Sequence, residues 1–140
     1  MSRRRYPLVA VDAVVMRPDG SVVLVKRAKE PFKGFWALPG GFVEYGERVE
    51  EAIKREVREE TGLEIAVEGL VGVYSEPSRD PRGHVISIAF FAREIGGSLR
   101  PSSDAADVRA FSALPARLAF DHARIIKDAI EKFKLDIELR

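Results

Sequence analysis

Residues 41–63 read Gly41-Phe42-Val43-Glu44-Tyr45-Gly46-Glu47-Arg48-Val49-Glu50-Glu51-Ala52-Ile53-Lys54-Arg55-Glu56-Val57-Arg58-Glu59-Glu60-Thr61-Gly62-Leu63. Val49, Ala52, Ile53 and Val57 recur at helical spacing, and Gly62 can adopt the left-handed C-terminal position cheaply, so the pattern predicts a helix over 47–61. At about 100° per residue, Glu56 and Glu60 fall within about 20° of Val49, and Glu59 lies about 80° away, beside Ala52. The core-facing stripe therefore turns acidic. Carboxylates at i, i+3 and i+4 repel one another, and the negative end of the helix dipole adds to the cost. Arg55, four residues after Glu51 and four before Glu59, supplies part of the compensation. A hard divalent cation such as Mg²⁺, which prefers carboxylate and carbonyl oxygens, supplies it better. The commonplace alternative is a solvated face of Glu–Arg pairs. Against it, Glu47, Glu51, Lys54 and Arg58 already occupy the outward side, and the Pro39-Gly40-Gly41 break upstream allows a backbone carbonyl to approach the same ion.

Outward from this helix, 8–15 and 21–26 are valine-rich runs around the turn residues Pro18, Asp19 and Gly20, which reads as a β-hairpin. Residues 30–46 lose periodicity and read as loop, with any strand ending at Leu38. Residues 65–74 and 84–92 read as strands joined by a polar segment with two prolines, and 108–111 as a short strand. A last helix is expected after Asp121 as N-cap, with Ala123, Ile125, Ile126, Ala129, Ile130 and Phe133 on its core face. Strands mixed with two helices predict an α+β or α/β sandwich around a mixed sheet.

A length of 140 residues with 46% hydrophobic content fits one domain, 1–140, with a real core, and excludes a disordered chain. The net charge of +1 supplies no global field for nucleic acid or an anionic membrane. The absence of cysteine removes thiolate chemistry and disulfides and suits a reducing compartment, so a cytoplasmic location is expected. The Arg3-Arg4-Arg5 start followed by an apolar run imitates a secretory leader, but Asp12 interrupts the run and no small-residue cleavage site follows.

The fixed spacing of Gly41, Glu47, Arg55-Glu56-Val57, Glu59-Glu60 and Gly62-Leu63 resembles the Nudix box at every specified position. The opening hairpin, the 35–41 segment and the 107–111 stretch before Leu114-Pro115 also look like the usual family layout. The resemblance implies a Nudix-type α/β/α sandwich with a mixed central sheet, and Mg²⁺- or Mn²⁺-dependent hydrolysis of a nucleoside diphosphate linked to another moiety. It implies Glu56, Glu59, Glu60 and the Gly40 carbonyl as metal ligands, with Arg55 and Glu47 as the buttress that orients them. The catalytic base is Glu60 or a loop acid outside the box, Asp104 or Asp107.

The segment 74–84, with Arg79 between Pro77 and Pro81 and Arg82 directly after Pro81, resembles the loop of prokaryotic ADP-ribose pyrophosphatases. That implies AMP and ribose 5-phosphate as products, Arg79 and Arg82 as substrate clamps, and a homodimer. Phe35 is a candidate to stack on adenine, whereas Trp36 reads as a core plug. His84 and His122 show no partner spacing and receive no role. Two rival functions keep the same box: a pyrophosphohydrolase of (d)NTPs or oxidised nucleotides, and a non-catalytic ADP-ribose-binding module, against which the retained acid trio speaks.

Overall fold

Alternation along the first two strands sorts their side chains onto two buried faces. In a computed structural model describing residues 6–102 and 104–138, β1 (Leu8–Met16) and β2 (Val22–Arg27) send Val14, Met16, Val22 and Leu24 into one apolar cluster. Val11, Ala13, Val15, Val23 and Val25 enter another. A strand buried on both faces reads as continuous valine, which is why no polar alternation marks it. The first cluster is closed by Ile125, Ile126 and Ala129 of α2 (His122–Phe133), the second by Ala52, Ile53 and Val57 of α1 (Val49–Thr61). The result is an α/β/α sandwich. The basic tail at Arg3 to Arg5 lies outside the described residues.

The sheet between the helices is mixed. β1 pairs in parallel with β6 (Val85–Gly97) from Leu8 opposite Val85 to Met16 opposite Arg93, and β6 pairs antiparallel with β5 (Leu63–Tyr74). β2 carries β7 (Ala105–Phe111) on antiparallel register. The expected hairpin is present, with Met16 opposite Val22. Its turn is set by Gly20 at φ +87° and by Asp19, whose carboxylate accepts the Ser21 N–H and hydroxyl.

Three expectations need correction. The segment 30–46 is not wholly loop: β3 (Trp36–Ala37) pairs with β2, and β4 (Gly40–Phe42) pairs with β1, placing Gly40 opposite Asp12. Pro39 lies between them, and its carbonyl accepts the Ala13 N–H, so the chain crosses from one ladder to another. Strands of two and three residues have no period to read. Next, α1 begins at Val49 rather than Glu47, which frees the Glu47 carboxylate to reach back to Arg55. Its other end matches expectation, with Gly62 at φ +80° donating to the Arg58 carbonyl.

Finally, Asp121 precedes α2 as expected but gives its carboxylate to Arg79 and makes no side-chain cap. Ala123 is exposed, and His122 is buried in its place, because 122, 125, 126 and 129 form the i, i+3, i+4, i+7 stripe and 123 sits one step off it. No helix among the described residues is long and apolar enough to cross a membrane. Ile53→Ala removes a fully buried side chain and is expected to cost roughly 2–4 kcal/mol in urea denaturation, whereas Ala123→Ser should stay within about 0.5 kcal/mol of the parent.

Candidate functional site

Arg55 holds the acidic end of α1 to the strand beside it. Its Nε and Nη2 make a two-point bond to Glu47 at 2.7 and 3.0 Å, and Nη2 also donates to the Phe42 carbonyl of β4 at 3.2 Å. Nη1 donates to Glu56 at 2.7 Å and Glu59 at 3.4 Å. The Glu47 bond raises the Arg55 pKa further and holds the Glu47 carboxyl below its ordinary value. Glu56 moves the other way, because burial disfavours its charge more than Arg55 favours it. A Cβ at Gly41 would lie 2.6 Å from the Glu56 carboxyl carbon and displace that carboxylate, and one at Gly40 would lie 2.1 Å from the Val11 carbonyl oxygen, which the backbone cannot yield.

Glu60 reaches the same strand one residue earlier, accepting the Gly40 N–H at 2.8 Å. Burial pushes its pKa up to about 8, with Glu56 and Asp12 adding repulsion against the stabilising Gly40 N–H. The expected trio is thus split between two holders, Arg55 for Glu56 and Glu59 and Gly40 for Glu60, and Glu59 is exposed. Among the described residues no three acids or histidines are drawn together in metal-ligating geometry. The donor set nevertheless fits a hard dication. It offers carboxylate oxygens beside the Gly40 main chain, and burial penalises the charge on Glu56 and Glu60, a penalty that a bound cation relieves.

Glu60 opens into a cavity of about 260 Å³ whose other walls include Arg79 and Arg82. Arg79 is not a solvated turn residue, whereas Arg82 is an exposed residue of the turn that is nevertheless ion-paired. Arg79 has a side chain only 5% exposed and forks onto Asp121 at 2.9 and 2.6 Å. Burial alone lowers its pKa, but the Asp121 bonds outweigh burial and raise it. Arg82 binds Asp80 at 3.1 and 2.8 Å and lies over the rings of Phe42 and Phe120. Burial works to raise the Asp80 pKa, yet the Arg82 bonds prevail and lower it. Asp104 is on the cavity wall; Asp107 belongs to β7 and turns to Arg109 at 2.8 Å.

Phe35 lies outside this cavity, edge-on to Phe32 and beneath Arg117, so the structure does not bring it to the other site residues. Trp36 packs on Phe111 at the border of the core. His84 Nε2 meets the Ser75 carbonyl at 3.0 Å, across the base of the Pro-Arg loop.

Sequence reasoning missed four wall residues: Asp12, Arg27, Phe120 and His122. His122 Nδ1 accepts the Leu38 N–H at 3.0 Å, which leaves its proton on Nε2, 3.6 Å from Asp12. Burial lowers the His122 pKa, so the ring is neutral at ordinary pH. Asp12 in turn accepts the Ser87 hydroxyl. The signal for Asp12 was its position, an acid inside an apolar strand; nothing local marks the other three.

Residues 6–133 match the model of the NUDIX domain. The chain is a member of the Nudix family. It is 56% identical over 125 residues to an ADP-ribose pyrophosphatase of Methanocaldococcus jannaschii, covering 88% of this chain and 73% of that protein. Among solved structures it resembles a bifunctional NMN adenylyltransferase/ADP ribose pyrophosphatase from Francisella tularensis complexed with AMP and a manganese ion, with TM-score 0.82 and 30% identity. That match covers 94% of this chain and 43% of the other. It also resembles the Nudix domain of Shewanella oneidensis NrtR complexed with ADP-ribose, with TM-score 0.79 and 28% identity over 93% of this chain and 90% of the other. The intact Nudix box and the homology to a pyrophosphatase make this chain a Nudix hydrolase.

In metal-free buffer the folded Nudix chain keeps the Glu60 proton up to about pH 8, while the unfolded chain releases it near the ordinary value of 4.5. Stability is therefore expected to fall as pH rises through that window, by on the order of 5 kcal/mol at most. Thermal unfolding at a series of pH values checks this: Glu60→Gln should flatten this part of the profile, and added Mn²⁺ should raise the parent's midpoint most at the alkaline end.

Proposed function

We propose that the chain hydrolyses ADP-ribose to AMP and ribose 5-phosphate in a reaction dependent on Mg²⁺ or Mn²⁺. The observation that carries this reading is that Glu60, the inward member of the acid trio, opens into the same cavity as Arg79 and Arg82 of the Pro-Arg loop. The 56% identity to the Methanocaldococcus pyrophosphatase supports the choice of substrate.

The side chains divide the work by charge. Glu56, Glu59 and Glu60, with the Gly40 main chain, hold the metal, and Arg55 and Glu47 fix the carboxylates' directions. A dication held there would supply charge neutralisation for the diphosphate oxygens and a lowered pKa for an attacking water. Glu60 would take the proton of the attacking water. Asp104, also on the cavity wall, is the alternative base. Arg79 and Arg82, their forks held by Asp121 and Asp80, bind the diphosphate and ribose through charge and their remaining N–H groups. Phe35 has no part in this pocket, and the homodimer expected from the resemblance belongs to the same reading.

A second reading is favoured by the likeness to the NrtR domain bound to ADP-ribose: a site that binds this ligand without turning it over. Purified protein incubated with ADP-ribose, dGTP, 8-oxo-dGTP and diadenosine polyphosphates, with Mg²⁺ or with EDTA, separates the cases by product chromatography. Metal-dependent AMP release from ADP-ribose is expected. Preference for the triphosphates defeats the substrate assignment, and tight ADP-ribose binding without products favours the binding module. Glu60→Gln should lower kcat about 10²–10⁴-fold with folding retained, a larger loss than Asp104→Asn. Arg55→Ala should lose both activity and thermal stability.

A further inference from the structure

Just before the Pro39-Gly40 step, the chain at 36–38 runs parallel to 117–119, with Trp36 bridged to Leu118. The Trp36 N–H donates to the Arg117 carbonyl at 3.0 Å, and the Ala119 N–H donates to the Trp36 carbonyl at 2.8 Å. The next rung of a parallel pair would join the Leu38 N–H to the Ala119 carbonyl. That carbonyl is already taken. It accepts the His122 N–H at 3.1 Å, where Phe120, at φ +51°, turns the chain into α2. The His122 side chain supplies the acceptor that its own backbone has removed: Nδ1 receives the Leu38 N–H at 3.0 Å.

Neither end of this bond can turn to water, because His122 and Leu38 are each only 4% exposed. A buried N–H left without an acceptor is costly, so the imidazole is held to the task. Its other edge is also oriented. Nε2 lies 3.6 Å from one oxygen of Asp12, whose second oxygen accepts the Ser87 hydroxyl. Asp12 in turn stands opposite Gly40 on the β1–β4 ladder. Burial lowers the His122 pKa and so keeps the Nδ1 lone pair available to Leu38.

What Leu38 feels is passed along the chain. The ring of Pro39 fixes its own φ and restricts Leu38 to extended backbone. The Pro39 carbonyl accepts the Ala13 N–H at 3.0 Å, and the Gly40 N–H donates to Glu60 at 2.8 Å. Three consecutive residues are thus each held at one backbone group by a different element: Leu38 by α2, Pro39 by β1 and Gly40 by α1. Little torsional freedom separates them, so a displacement at Leu38 moves the N–H on which Glu60 rests.

We infer that His122 is a positioning residue for hydrolysis, standing in for a missing main-chain rung and, through Leu38 and Pro39, holding Gly40 where it aims the Glu60 carboxyl. The inference rests on the proposed reading in taking Glu60 as a working carboxyl, and not on ADP-ribose as the substrate. It gives α2, which contributes none of the acids, a mechanical part in their geometry.

Mn²⁺ binding to the full chain, read from the loss of the free-ion EPR signal, tests this beside steady-state hydrolysis of ADP-ribose and hydrogen exchange at the Leu38 amide. His122→Leu removes the acceptor and should weaken Mn²⁺ and lower kcat about 10-fold or more, with KM at saturating Mn²⁺ within about 2-fold of the parent and faster Leu38 exchange. His122→Asn places an amide oxygen where Nδ1 was and should restore Mn²⁺ affinity, kcat and slow exchange to within about 3-fold. His122→Gln, whose amide reaches past Leu38 toward Asp12, should resemble Leu and serves as the second acceptor-free variant. Ile125→Val trims a buried side chain of α2 and should lower the thermal midpoint with Mn²⁺ affinity unchanged. Parent-like Mn²⁺ affinity and kcat in both the Leu and Gln variants overturn the inference. So does an Asn variant as impaired as Leu, or an Ile125→Val variant that loses Mn²⁺ equally. His122 also borders the cavity, and a raised KM with unchanged Mn²⁺ affinity would make it a substrate contact instead, again overturning the positioning role. A parent that binds no Mn²⁺ overturns this inference and the metal reading together. A parent that binds Mn²⁺, with the variant differences intact but no AMP formed from ADP-ribose, defeats the substrate proposal alone.

Discussion

The five-donor fork of Arg55 is the contact on which the acidic helix end depends. Glutamates at 47, 56 and 59 would repel one another beside a strand, and 56 and 59 lie in the C-terminal half of α1, toward the negative end of its dipole. One guanidinium answers all three and adds the Phe42 carbonyl, so the cation that balances the charge also fastens α1 to β4. That double duty explains why the bonds come from every face of the guanidinium. A lysine ammonium, with three donors and no plane, cannot reproduce it.

Docking of the helix against β4 has a second requirement, which is backbone closeness. Gly41 lets the strand pass within contact of the Glu56 carboxyl, and Gly40 turns its N–H to Glu60. Both glycines sit there because β4 is laddered to β1, whose Val11, Ala13 and Val15 belong to the apolar layer under α1. Core packing and the placement of the acids are therefore one arrangement. The separation of pKa values follows from it: Glu47, bonded twice to Arg55, is held in its charged form, while Glu60, buried against a neutral N–H, is pushed toward its protonated form.

What the sequence revealed divides along a physical line. The acidic stripe of α1, the Gly62 stop and the valine-rich runs are local patterns, and each reappears in the structure. The box spacing carried the family. The short strands β3 and β4, the parallel pairing of β1 with β6, and the side-chain use of Asp121 depend on partners far along the chain, and no local period encodes them. Phe35 illustrates the same limit. The aromatics that line the pocket are Phe42, directly after the Pro-Gly-Gly break, and Phe120, whose left-handed backbone angle is invisible in composition. His122 was set aside because it lacked partners in sequence; its partners, Leu38 and Asp12, come from two other strands' neighbourhoods.

Asp121 and His122 are consecutive residues, yet one grips the Pro-Arg loop through Arg79 and the other grips the turn leading to Gly40. Opposite sides of the cleft are thereby bracketed by a single helical turn, itself seated by Ile125, Ile126 and Ala129 in the apolar layer. The width of the mouth is accordingly inherited from greasy packing beneath α2. Drift among those aliphatic side chains would retune which molecules enter, without altering one polar group that touches them.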